Sequence, residues 1–249
     1  MRGDMLVLGS VVGFALASMV AYALAARGED DPHEIADRGD FLLGDFVRSW
    51  FLWFVGPVVR AAVLVRLSPT VFNVLGVLCG VGAGISFATG RTNLGGWLVL
   101  AGGAADVLDG RVARSTGRAD DTGAFLDSTL DRFAEVGAFV GLAVMYRASA
   151  VAVAVVATAL GGSLLVSYAR ARGESLGVVA KVGVMQRAER LLILGFGGIL
   201  DPAVTSWLGW TPGAGLLTLI GLMAAGTVGT ALYRTVWIAR RLDAGDEAG

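Results

Sequence analysis

The sequence predicts an all-α integral membrane protein, and three observations carry that prediction. Mean hydropathy is +0.69, and 55% of the 249 residues are hydrophobic against 16% charged. Apolar runs recur at about 5–26, 71–90, 94–113, 123–146, 149–170, 188–208 and 213–237, and a bilayer-spanning helix needs roughly 20 such residues. The chain has no sustained period-two alternation punctuated by turns, which argues against a transmembrane barrel. Backbone hydrogen bonds that must be satisfied inside lipid then favour helices throughout.

Each element follows in order. Residues 1–40 read as a transmembrane anchor and an acidic linker. "ALA" at 23–25 resembles a signal-peptidase site. The apolar run before it is long, however, and cleavage would strand 27–69 outside, so the anchor is expected to stay. The linker "RGEDDPHEIADRGD" (27–40) holds the sole histidine, His33, as a solvated loop residue. A histidine-based triad is therefore not expected. Cys79 is the only cysteine, which excludes an intrachain disulfide and a cysteine zinc site. Residues 41–66, "FLLGDFVRSWFLWFVGPVVRAAVLVR", mix aromatic residues with Asp45, Arg48, Pro57 and Arg60, the pattern of an amphipathic helix in the cytoplasmic interface. A span is the alternative. Residues 67–242 supply six further spans. In "GVLCGVGAG" (76–84), Gly76, Gly80 and Gly84 recur every four residues, the spacing that lets helices approach closely. The tail 243–249 reads as disordered.

The basic residues orient these spans. One side receives 17 of the 20 Lys and Arg residues, and the other only Arg2, Arg91 and Arg147. The positive-inside rule puts the crowded side in the cytoplasm, with the N-terminus outside.

Four acids stand on that side. Asp106 and Asp109 are three apart on one helix, and Asp127 and Asp131 are four apart on the next, so each pair shares a face. The short connection "STGRADDTG" (115–123) turns the chain back, so the pairs can face each other. Converging carboxylates repel unless they protonate or a cation joins them. All-oxygen ligands favour Mg²⁺ or Mn²⁺, and four acids suit two ions bridged by a substrate phosphate. Salt bridges to Arg111, Arg114 and Arg132 are the structural alternative, and spacing alone barely separates the two. Asp120 and Asp121 read as solvated loop residues.

The full pattern is more specific. Asp106, Asp109, Gly110, Ala113, Arg114, Gly123, Asp127 and Asp131 match D-x2-D-G-x2-A-R-x8-G-x3-D-x3-D at all eight positions. That pattern is similar to the signature of the CDP-alcohol phosphotransferase family, and the resemblance extends over about 66–237. It implies a six-helix bundle, here extended by an N-terminal transmembrane helix and the interfacial helix. It also implies an enzyme that cleaves the pyrophosphate of a CDP-linked donor, transfers its phosphoryl-bearing group to an alcohol and releases CMP. On this resemblance Asp106, Asp109 and Asp127 hold metal, and Asp131 is the general base and also contacts metal. Gly110, Ala113 and Gly123 admit the nucleotide, and Arg114 faces it or supports the acids. Asn73 lies beside the donor.

The acceptor is read from "SYARARGESLGVVAKVGVMQRAERLLIL" (167–194). Arg170 and Arg172 end one helix, and Arg187 and Arg190 begin the next. Forked guanidinium groups in such a cluster can clamp a phosphate, which suggests an acceptor that is itself phosphorylated. Positive-inside charge explains the cluster equally simply. The stretch resembles the branch that makes phosphatidylinositol phosphate or its archaeal ether-lipid counterpart. It matches at Ser167, Tyr168, Arg170, Arg172, Glu174, Gly177, Arg187, Glu189 and Arg190. Three positions depart: Gln186 replaces a glutamate, Thr70 stands where Asn or Asp is usual, and Asn73 where a small hydroxyl residue is usual.

The expectation is a membrane phosphatidyl transferase using CDP-diacylglycerol and inositol 1-phosphate. It would be homodimeric among membrane lipids, with no nucleic-acid partner. Glycerol 3-phosphate is the alternative acceptor. A cation transporter or an inactive scaffold would belong to another class.

Overall fold

The computed structural model describes residues 2–25, 44–117, 120–180 and 182–246. The acidic linker with Arg27, His33 and Arg38 lies outside them, as do Arg118, Lys181 and 247–249. The described residues form eight helices and no strand. These are α1 (Arg2–Ala25), α2 (Gly44–Leu64), α3 (Pro69–Ala88), α4 (Thr92–Ser115), α5 (Asp121–Met145), α6 (Ala150–Ser175), α7 (Arg187–Leu208) and α8 (Ala214–Asp246). Helices α2, α3, α6, α7 and α8 are long and apolar enough to cross a membrane. Helices α4 and α5 are just as long, at 24 and 25 residues, but carry the acids.

The helix ends follow local chemistry. Pro69 opens α3, where its missing N–H costs nothing. Gly90 and Gly209 take positive φ just beyond α3 and α7, conformations that a side chain would strain. Ser149 caps α6 by accepting from the Ala152 amide at 3.2 Å. Asp201, buried in α7, accepts from the Gly213 and Leu216 amides at 2.8 and 3.0 Å and so caps α8.

Close packing rests on small residues. A side chain at Gly80 would run into the Ala134 backbone, and one at Gly84 into the Gly137 carbonyl, so α3 lies nearly backbone to backbone on α5. Gly76, the third member of the expected stripe, has only the Gly102 carbonyl at 3.8 Å. Gly96 and Gly198 bring α4 against α7, and Gly162 brings α6 against α8. Phe87, Phe139, Leu142, Leu216, Ile220 and Met223 fill the core between these pairs.

Two expectations change. Helix α8 runs unbroken to Asp246, so residues 243–246 of the expected tail are helical. Asp120 is not merely solvated: its Oδ1 accepts from the Gly123 amide at 2.7 Å and caps α5, whose first residue is Asp121. Of segment 41–66, Gly44–Leu64 forms the 21-residue α2, which its length and composition would also allow to span. It is anchored by Val59 and Ala62 against Phe72 and Val112.

Candidate active site

The site forms where α3, α5 and α7 begin and α4, α6 and α8 end. Three of the acids converge: Asp106, Asp109 and Asp127 each offer an oxygen within 4.8 Å of the others. Asp109 is 4% exposed. Asn73, with its amide nitrogen turned toward the acids, donates to Asp127 at 3.2 Å and to Asp109. It lies one turn after Thr70, which puts an amide beside the acids from the first turns of α3. The donor set is oxygen only and partly desolvated, which fits a hard divalent cation.

Asp131 stands apart from this triad. Its Oδ1 accepts from Arg187 Nη2 at 2.5 Å, and Arg187 Nε lies 3.5 Å from Asp106 Oδ2. Arg187 thus ties the two acid-bearing helices to α7. Arg132 lies 3.9 Å from the other oxygen of Asp131.

The expected nucleotide residues Gly110, Ala113, Arg114 and Gly123 line the same cavity as the acids, a space of about 1880 Å³. Of the four expected acceptor arginines, Arg170, Arg187 and Arg190 line the cavity. Arg172 lies outside its lining, exposed near Ser175. Arg190 is 2% exposed and is drawn inward, donating to Glu135 at 3.2 Å and to the Met185 carbonyl at 3.3 Å. An arginine so enclosed must be paired, and Glu135 supplies the opposite charge.

Glu135 is the residue the sequence reading missed. It sits one turn beyond Asp131 and accepts from Arg190, from Arg132 at 3.1 Å and from Ser163. Arg132 also donates to Ser167 at 2.8 Å, so the network joins α5, α6 and α7 directly beneath the acids. The four-residue spacing of Asp127, Asp131 and Glu135 was the available signal. Arg234 was also missed. It is 3% exposed and donates to the Val166 and Val182 carbonyls, fastening α6 and the 176–186 connection to α8.

A family model for CDP-alcohol phosphatidyltransferases matches residues 66–218, which contain every acid of the site. This chain belongs to that family. It is therefore a transferase enzyme, and its bundle is a CDP-alcohol phosphatidyltransferase bundle. The chain is 36% identical over 224 residues to a phosphatidylinositol phosphate synthase of Streptomyces avermitilis, covering 84% of this chain and 88% of that one. It is 32% identical over 214 residues to an archaetidylinositol phosphate synthase of Methanothermobacter thermautotrophicus, covering 83% and 98%. Among solved structures, the Mycobacterium tuberculosis phosphatidylinositol phosphate synthase PgsA1 with CDP-DAG bound superposes with a TM-score of 0.64. That match is at 29% identity and covers 73% of this chain and 92% of the other. The same protein in complex with manganese and citrate gives 0.62 at 31% identity, covering 73% and 88%.

Proposed function

We propose that this enzyme transfers the phosphatidyl group of CDP-diacylglycerol to inositol 1-phosphate and releases CMP. The carrying observation is the division of the four acids, with a triad of Asp106, Asp109 and Asp127 and a separate Asp131 held by Arg187. The similarity to phosphatidylinositol phosphate and archaetidylinositol phosphate synthases supports the choice of acceptor.

The residues divide the work. Asp106, Asp109 and Asp127 would hold Mg²⁺ or Mn²⁺, which when bound neutralises the pyrophosphate of the donor. Gly110, Ala113 and Gly123 leave the cavity wall free of large side chains where the nucleotide lies along it, and Arg114 faces that end. Asp131 takes the proton of the acceptor hydroxyl as its oxygen attacks the phosphorus that bears the diacylglycerol, and the bond to CMP breaks. Arg187 holds Asp131 in place through its guanidinium and, with Arg170, presents cations to a phosphate on the acceptor. The chemistry is mostly positioning and charge neutralisation.

Location supports this reading. The donor has its tails in lipid and its nucleotide in water, and the acids lie at one end of the bundle. The basic residues crowd the same end, which supports a site on the cytoplasmic face. A homodimer, two ions per site, an N-terminal anchor (1–40) and an interfacial placement of α2 complete the proposal.

The test is CMP release by the full chain in lipid with Mg²⁺ and CDP-diacylglycerol, offering inositol 1-phosphate, glycerol 3-phosphate, inositol and serine separately. Release with inositol 1-phosphate alone is expected. Release with glycerol 3-phosphate instead would overturn the acceptor, and no release with any would overturn the reaction.

A further inference from the structure

The cavity at the acids does not end with the residues that would serve a nucleotide. The same continuous space of about 1880 Å³ runs to a wall made by Phe14 and Leu16 of α1 and Trp50 and Phe54 of α2, facing Trp97 and Leu100 of α4. It exceeds the roughly 300–1,000 Å³ of an ordinary small-molecule pocket. Phe14 and Leu16 are 63% and 58% exposed, and both lie on that wall. Helices α1 and α2 both precede the family match at 66–218.

The wall is a built structure. Trp50 Nε1 donates to Ser18 Oγ at 3.1 Å. The Tyr22 ring lies 5.6 Å from that of Phe46 and 5.8 Å from that of Trp53, and Phe14 meets Phe54 edge to face at 6.0 Å. Edge-to-face and tilted pairs at these distances are attractive. Helix α2 is fastened in turn to the catalytic helix. Arg111, two residues after Asp109, donates to the Leu52 carbonyl, and Val59 and Ala62 pack on Phe72 and Val112. The aromatic wall therefore stands at a set distance from the acids.

A cavity with carboxylates and cations at one end and aromatic hydrocarbon at the other fits a two-ended ligand. We infer that α1 and α2 form a binding wall for an acyl chain of the lipid donor, so that this N-terminal pair selects donors by chain length. The inference rests on the proposed use of a CDP-lipid.

The test uses the full chain in phosphatidylcholine bilayers with CDP-diacylglycerol carrying a photoreactive diazirine at one acyl terminus. Labelled peptides are expected within 2–25 and 44–64, suppressed by excess unlabelled CDP-diacylglycerol and not by phosphatidylcholine. Labelling there that CDP-diacylglycerol does not suppress means surrounding membrane lipid, and labelling suppressed only on other helices means a different groove; either overturns the wall. If no label anywhere on the chain is suppressed, the donor reading itself fails, and the wall with it. In a second arm, Leu16→Trp narrows the wall from an exposed position. The ratio of kcat/KM for palmitoyl over hexanoyl donors should fall about ten-fold, the effect of excluding two methylenes from apolar surroundings. An unchanged ratio overturns the inference.

Discussion

The Glu135 network offers a direct test of how the site is held. Glu135→Leu removes the one carboxylate that Arg190 meets, and Arg190 is 2% exposed. Its remaining bond is to the Met185 carbonyl, which does not neutralise a charge. Stranding one member of a buried pair costs about 3–5 kcal/mol. For a chain of this size each kcal/mol moves the melting temperature by roughly 2–4 °C, so a fall of roughly 6–20 °C is expected. Arg190→Met should cost less, because Glu135 keeps its ion pair with Arg132 at 3.1 Å and the hydrogen bond from Ser163. The double variant Glu135→Leu/Arg190→Met removes both charges and should recover most of the loss, since a buried pair replaced by apolar residues is often neutral. The assay is thermal unfolding of the four proteins in one detergent, with CMP release measured well below the lowest transition. A Glu135→Leu shift under about 2 °C, or a double-variant loss equal to the sum of the single losses, would refute the network as a structural pair.

Other outcomes follow from the site and its packing. Asn73→Ala removes the amide that orients Asp109 and Asp127, and Mn²⁺ affinity measured by titration calorimetry should drop on the order of 10–100-fold. Asp127→Asn should abolish CMP release while its unfolding transition is retained; preserved turnover would remove Asp127 from the triad. Mn²⁺ affinity should weaken as pH falls from about 7 to about 5, because protons compete for the carboxylate ligands, and an affinity that rises with acid would contradict a carboxylate site. Gly84→Leu should destabilise by roughly 1–3 kcal/mol through collision with the Gly137 carbonyl. Gly161→Ala, which meets nothing within 4 Å, should leave the melting temperature unchanged or raise it slightly.

The legible parts of the sequence were those with a period. The spans follow from unbroken apolar length, and the α3–α5 seam from glycines every four residues, with Gly80 and Gly84 in contact as that spacing implies. The acids were legible because spacings of three and four put them on helix faces, and their eight-position pattern separated chemistry from ordinary salt bridging. The partner of an isolated charge was not legible. Arg190 and Arg187 are three apart and look equivalent in sequence, yet one turns inward to Glu135 and the other to Asp131. That choice is made by where α5 packs against α7, which no local pattern encodes. The Asp120 cap could have been read from an acid standing just before a helix. The α1–α2 wall depends on tertiary packing across a linker and carries no local signal.

Charge balance then accounts for the position of Arg187 among the four acids. Three converging carboxylates, Asp106, Asp109 and Asp127, repel one another unless a proton or a cation joins them. Arg187 lies 2.5 Å from Asp131 and 3.5 Å from Asp106, and so stands between the three acids proposed to hold metal and the single carboxylate proposed as the base. One turn further in, Glu135 pairs with Arg190 at 3.2 Å, while Arg187 is the guanidinium nearest Asp131. If Arg187 acts in this way, Arg187→Gln should do more than weaken binding of a phosphorylated acceptor. It should also shift the acid limb of the pH–rate profile to higher pH, because Asp131 would lose the charge that favours its ionised form. Arg170→Gln, whose guanidinium pairs instead with Glu174 at 2.8 Å, should raise KM for the acceptor with the acid limb in place. Identical pH profiles for the two variants would show that Arg187 is a binding residue alone.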